Sequence, residues 1–371
     1  MSIDSRQSRR NLMTLRSILA LSALIFLCAG ELLSDETDEA GISIERLEPW
    51  STVFAETKIK IPCRLRSTSQ FVGRLVWGLS TNENITLSRG ELAVTQQEND
   101  ESDAGFELTF PDVKPGLILP TKLAIHLVAD GNKQPVASVE SPIWIYPPDP
   151  FYDRTEWLKG LQLSVFDPAG KTVELFNTLE LSFAEITNIS NLEILESGVL
   201  IIGEGVSFRE ERALPAAMLE LAARGIPVIC LAPDEGDLLI PSPNPAEKIS
   251  PSSVLLQNAE AIRRLDKRLD AVQWMTETVR PANTISLDRQ GSQLLGEVVS
   301  APDGWSWIEI HFANQNKNRE TNPRCVVCCF PIIERWDDGP TPRYLLVRLL
   351  EYVAPSESSH VASERKGQVS K

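Results

Sequence analysis

Residues 58–66 put Ile59, Ile61, Cys63 and Leu65 on one face and Lys58, Lys60, Arg64 and Arg66 on the other. A period of two marks a strand with one wet side and one buried side. The same alternation recurs in RLVWGL (74–79), FELTF (106–110) and KLAIHLV (122–128), and Asp130-Gly131-Asn132 supplies a turn. About seven such strands in roughly 105 residues predict an immunoglobulin-like β-sandwich over residues 42–147. Cys63 and Trp77 fall on successive strands, but no second cysteine lies between residues 64 and 147, so an inter-sheet disulfide is not expected. Trp77 reads as core and His126 as a surface residue. Pro147, Pro148 and Pro150 then make residues 148–156 a stiff, extended hinge.

Beyond residue 157 the pattern changes to strands alternating with helices. LQLSVFD (161–167), LSFAEI (181–186), VLIIGE (199–204) and IPVICLAP (226–233) read as strands, with GKTVELFNTL (170–179) as a helix. Leu214, Ala217, Met218, Leu221 and Ala222 form one helical stripe, which Ser207 through Glu210 open as a capping box and Gly225 closes. SWIEIHF (306–312) and RCVVCCF (324–330) add strands. A last helix begins at Thr341-Pro342 and turns Leu345, Leu349, Tyr352 and Val353 inward. This order predicts a mostly parallel sheet with helices on both faces over residues 157–354. The polar residues 355–371 read as a disordered tail, and the proline-rich stretch 232–253 as a long loop suited to a lid. The fold class is therefore α/β joined to all-β, in two domains.

The first thirty residues stand apart from both. Arg6, Arg9, Arg10 and Arg16 precede fourteen uncharged residues, 17–30, and an acidic stretch follows. That is the pattern of an export signal peptide, too short in its apolar run to span a bilayer, so no stable membrane anchor is expected. It places the mature protein in the periplasm or outside the cell. A formal net charge of −15 argues against nucleic acid as a partner.

Candidate chemistry is sparse. Gly170-Lys171-Thr172 resembles the end of a phosphate-binding loop, but the glycine that such a loop needs five residues earlier is Val165. The stretch reads as a strand-to-helix turn in which Asp167 ends the strand. Cys325, Cys328 and Cys329 include one CxxC without a second ligand pair, so they read as core, with Cys325 and Cys329 on one face and Cys328 on the other. No metal site and no cofactor follow from these motifs. In an open α/β sheet ligands bind beyond the carboxyl ends of the strands. Asp167, Glu204, Asp234 and Glu235 belong at that edge, where they either cap the following helices or hold a cation or sugar hydroxyls. Two acids could also serve as general acid and base on a glycoside. Trp305 and Trp307 share a face if the strand period holds.

LKGLQLSVFDPAGKTVELF (158–176), VLIIGEG (199–205), WSWIEIHF (305–312) and the stretch from Arg324 to Val353 together resemble the class I glutamine amidotransferase-like domain. The resemblance covers residues 157–354 and implies a flavodoxin-like fold; behind a sandwich and an export signal it is similar to exported proteins of planctomycete type. Catalysis in that family implies a cysteine at a GxCxG elbow, with a histidine and a glutamate brought in later. This chain has Gly203-Glu204-Gly205 after its strand, Cys230 within a strand and His311 in another, so no catalytic residue carries over. The expectation is an exported, non-enzymatic binding or assembly protein whose partner is an envelope protein or polysaccharide. The alternatives are a hydrolase of envelope polysaccharide or peptide using the strand-end carboxylates, and a structural subunit that forms homo-oligomers.

Overall fold

The computed structural model describes residues 41–240, 251–271, 284–287, 305–312 and 324–354. The export-signal segment 1–30, the tail 355–371 and the middle of the proline-rich stretch lie outside them. The described residues have mixed α/β content, with strands in several sheets and five α-helices.

Among the described residues eight strands precede residue 147: β1 (Ile42–Arg46), β2 (Thr52–Phe54), β3 (Lys58–Ser67), β4 (Phe71–Thr81), β5 (Thr86–Gln96), β6 (Asp100–Thr109), β7 (Leu119–Ala129) and β8 (Ala137–Tyr146). They form a three-stranded sheet, β1-β3-β6, and a five-stranded sheet, β2-β8-β7-β4-β5. Ile61, Cys63 and Leu65 of the small sheet and Leu75, Leu79, Leu123 and Ile125 of the large one are buried in one cluster. Each such aliphatic side chain removed from water contributes about 1.5–3 kcal/mol. Trp77 stacks on Phe106 across the two sheets, with ring centroids 4.2 Å apart and planes 17° from parallel. Gly90 makes room for it, because a Cβ there would lie 2.1 Å from the indole. His126 bonds to the Ser138 hydroxyl at 2.8 Å on the exposed face.

A third sheet has seven strands in the order β10-β9-β11-β12-β17-β16-β14. Here β9 is Leu163–Phe166, β10 Phe183–Ile186, β11 Val199–Ile202, β12 Val228–Leu231, β14 Pro251–Gln257, β16 Trp307–Phe312 and β17 Arg324–Cys328. The first five in that order run parallel, while β16 and β14 extend the sheet antiparallel. β13 (Asp237–Ile240) and β15 (Thr284–Leu287) pair separately. The proline-rich stretch is therefore not one open loop, since β13 and β14 occupy its two ends.

Strands β9, β11 and β12 are buried along their whole length, as a sheet covered on both sides requires. Their side chains divide by the period of two. Leu163, Val165, Ile201, Ile229, Val326 and Cys328 face one cluster, and Leu200, Ile202, Cys230, Cys325 and Val327 the other. Helices α1 (Thr155–Leu161), α2 (Lys171–Thr178), α4 (Glu260–Leu265) and α5 (Pro340–Val353) supply residues to the first cluster, and α3 (Leu214–Arg224) to the second. The capping stretch at Ser207 does form, with the Glu210 amide 3.3 Å from the Ser207 hydroxyl, but α3 starts seven residues later. Pro215 at its first turn is the reason, since proline fits a helix start and would break an interior.

The prolyl segment does not stand free. Tyr146 and Phe151 are buried in the core of the seven-stranded sheet, and the Tyr146 ring packs 4.5 Å from Tyr344 of α5. Tyr344 donates its hydroxyl to the Pro147 carbonyl at 3.0 Å, and Arg343 donates to Pro148 at 2.9 Å. Beside it the buried Asp270 accepts from the Ser51 amide at 2.9 Å, and its own amide donates to Thr341 at 3.0 Å. Burial and bonding of this backbone turn the expected hinge into a packed junction.

Candidate functional site

The carboxyl ends of β9, β11 and β12 carry the four acids singled out in the sequence, and the structure uses them in two ways. Asp167, 7 % exposed, follows β9 directly. Its Oδ2 accepts the backbone amides of Thr172 at 2.7 Å and Val173 at 3.0 Å. These are the free amides of the first turn of α2, the groups that a phosphate would need. The carboxylate takes that place from within the chain. Gly203 allows it so close, because a Cβ there would fall 2.4 Å from Asp167 Oδ1.

Glu204, 3 % exposed, follows β11 and reaches across to the turn after β17. Its Oε2 accepts the amide of Ile333 at 2.7 Å and its Oε1 that of Glu334 at 2.9 Å. Its own amide donates to the Thr172 hydroxyl at 2.9 Å, which ties β11 to α2. Burial raises the Glu204 carboxyl above its ordinary value, and the two amides and Lys171 offset that only in part. Asp234 and Glu235 are exposed. The Asp234 amide donates to Val206 at 2.9 Å, and the Glu235 carboxylate pairs with Arg209 at 2.7 Å on the surface. The edge thus holds two buried acids spent on backbone amides and two in solvent. Among the described residues no three His, Cys, Asp or Glu side chains come together as a metal-ligand set.

The one strand end here with a non-glycine residue in the left-handed region is Ala232, directly after β12, at φ 26°. A sharp turn is present, but its apex carries a methyl group. The five cysteines among the described residues are all buried. Desolvation pushes the thiols of Cys230 and Cys328 well above their ordinary value, and that of Cys325 up to about 12. Thiols in that condition stay protonated and inert. As the strand period requires, Cys325 and Cys329 lie in one core cluster and Cys328 in the other. Trp305 and Trp307 do not share a face, because β16 begins only at Trp307; Trp305 packs on one side of the sheet and Trp307 on the other.

A second group of ionisable residues sits at the antiparallel edge. Glu309 of β16 is 0 % exposed and has four donors around it. Arg264 of α4 pairs at 2.6 Å, His311 Nε2 at 2.7 Å, Trp307 Nε1 lies at 3.5 Å, and the Tyr352 hydroxyl of α5 donates to Oε1. Burial would raise this carboxyl, but the bonds from His311, Tyr352 and Arg264 outweigh it and hold it at about 2. Glu-x-His in a strand brings the two side chains to one face, so the period of two alone joins Glu309 to His311. Arg264 and Tyr352, 45 and 43 residues away, have no sequence signal that would link them to it.

No protein-family model matches the chain, and no curated protein does either. Solved structures resemble parts of it weakly. The sporulation control protein Spo0M from Bacillus subtilis aligns over 32 % of this chain and 55 % of its own, at 12 % identity and a TM-score of 0.24. A cycloisomaltooligosaccharide glucanotransferase from Paenibacillus covers 54 % of this chain and 28 % of its own, at 10 % identity and a TM-score of 0.25. The C-terminal domain of wzt covers 30 % and 75 %, at 11 % identity and 0.23. The chain spans 55 % of the length of the first of these structures and 28 % of the second. Likeness at this level carries no argument for either fold family or activity. Among the described residues no helix is long and apolar enough to cross a membrane.

Proposed function

We propose that the chain is an exported, non-enzymatic binding or assembly protein of the cell envelope, in which an immunoglobulin-like sandwich is joined to a flavodoxin-like domain of degenerate amidotransferase type. The observation that carries this reading is the use of Asp167 and Glu204: both buried carboxylates at the strand ends are bonded to backbone amides. A general acid or base must reach substrate and exchange a proton with it. A buried carboxylate bonded to amides, through both oxygens as in Glu204 or through Oδ2 as in Asp167, serves as a bracket instead. The sharp turn after β12 presents Ala232, the turn after β11 carries the amide-bonded Glu204, and the buried thiols are held protonated. The junction through Tyr344, Arg343 and Asp270 supports a single presenting unit rather than two hinged modules. The partner is an envelope protein or polysaccharide, and the export pattern of residues 1–30 supports that placement.

The test is made on the full chain with purified envelope polysaccharide, alongside a glutamine assay for ammonia. Saturable binding without new reducing ends, peptide fragments or ammonia is the expected result. Turnover that disappears in the Asp234→Asn/Glu235→Gln double variant, which alters only exposed acids, would overturn the reading in favour of a hydrolase.

A further inference from the structure

The antiparallel pairings place Ser253 of β14, His311 of β16 and Arg324 of β17 directly opposite one another in adjacent strands. Directly opposed residues of antiparallel strands project from the same face, with Cβ atoms about 4.5–5.5 Å apart. The row therefore presents a hydroxyl, an imidazole and a guanidinium side by side at one end of the edge strands.

Each of the three keeps a polar group to spare. His311 commits Nε2 to Glu309 at 2.7 Å and finds no partner for Nδ1 among the described residues; its side chain is 21 % exposed. Arg324 donates one amino group to the Tyr352 carbonyl at 3.1 Å and lies 4.2 Å over the Tyr352 ring, which fixes the plane of its fork. It has no carboxylate partner among the described residues, unlike Arg264, whose charge is met by Glu309. The Ser253 hydroxyl is exposed and without a partner there.

We infer that Ser253, His311 and Arg324 form a binding site for an oxyanion group, a phosphate or a carboxylate. The stacked guanidinium supplies a planar pair of donors suited to such a group. The imidazole, oriented by the buried Glu309, adds a third donor when its Nδ1 is protonated, and the hydroxyl a fourth. Arg264 adds positive charge from α4, and Glu309 is the acid facing the row, already shared among Arg264, His311 and Tyr352. This site supplies a ligand chemistry for the binding reading above and rests on it for its role; its existence is tested separately.

The full chain is titrated at constant ionic strength with inorganic phosphate and, in a second arm, with galacturonate, following the His311 ring resonances and the heat of binding. Saturation in either arm is expected, and the stronger arm identifies whether the source is phosphate or uronate. Arg324→Gln is expected to weaken binding at least about tenfold, as the loss of a charge-assisted pair does. Arg263→Gln, at an exposed arginine outside the row, should leave it unchanged. Ser253→Glu guards against a folding artefact: placed at an exposed position, its carboxylate faces His311 and sets a negative charge in the row, so binding should vanish while the melting temperature holds. No saturable binding in either arm, or equal affinity in Arg324→Gln and the parent, overturns the inference. Failure of both arms while polysaccharide binding persists removes this site and leaves the proposed function standing.

Discussion

Glu204 stands at the carboxyl ends of the parallel strands and Glu309 within β16, beside the antiparallel edge of the same sheet; both are almost fully withdrawn from water, and their carboxyls move in opposite directions. Glu204 is raised by its burial, which two backbone amides only partly offset. Glu309 meets the same penalty, yet bonds from His311, Tyr352 and Arg264 bring it down to about 2. Desolvation has one sign for any carboxylate; the number of side-chain donors, together with the charge of Arg264, decides which way the balance falls. Neutral amides position a buried acid, and cations also keep it ionised. The first edge is built as a bracket for the chain, and the second leaves charged groups facing solvent.

The comparison breaks most visibly at Glu309. Glu309→Gln removes the charge that Arg264, His311 and Tyr352 share, and an interior ion pair broken on one side costs about 3–5 kcal/mol. Arg264 is a third exposed, so water recovers part of its loss and the lower figure, about 3 kcal/mol, is expected from urea unfolding at pH 7. The pH dependence sharpens this. A carboxyl held at about 2 against an ordinary 4.5 contributes stability that is fully present above 4.5 and is lost as the pH falls toward 2. The gap between parent and variant should therefore close over that acid range.

Glu204→Gln is the smaller change, with the opposite slope. The amide keeps one acceptor for Ile333 or Glu334 and turns a donor toward the other, which costs about 1–2 kcal/mol for the unsatisfied group. Because the Glu204 carboxyl is raised, the stability that it contributes is present below its ordinary 4.5 and is lost as the pH climbs through the raised value. The deficit of the variant should be greatest in acid and shrink on the way to neutrality. Parallel slopes in the two variants would show that donor charge does not separate the two edges.

Local pattern made much of the scaffold legible. The alternation at Ile59, Ile61, Cys63 and Leu65 gave an inward face, and the same rule divided Cys325 and Cys329 from Cys328 across the sheet. The errors came where one residue shifts a boundary. Pro215 moved the start of α3, and the late start of β16 sent Trp305 and Trp307 to opposite sides. At the carboxyl edge the sequence placed Asp167 and Glu204 correctly after their strands but could not tell what they hold. The Ile333 and Glu334 amides lie 129 and 130 residues away from Glu204, and no spacing rule connects backbone groups at that range. The Glu309 network was hidden for the same reason, except for its Glu-x-His core, which the strand period made readable.

Native-state amide hydrogen exchange tests the bracket role most directly. If Asp167 and Glu204 are committed to the backbone, the amides of Thr172, Val173, Ile333 and Glu334 exchange only in the rare openings of the surrounding sheet, and Glu204→Gln releases Ile333 or Glu334 while Thr172 and Val173 stay protected. Fast exchange at all four in the parent protein would show these carboxylates free to meet a ligand, and the non-enzymatic account of this edge would be wrong.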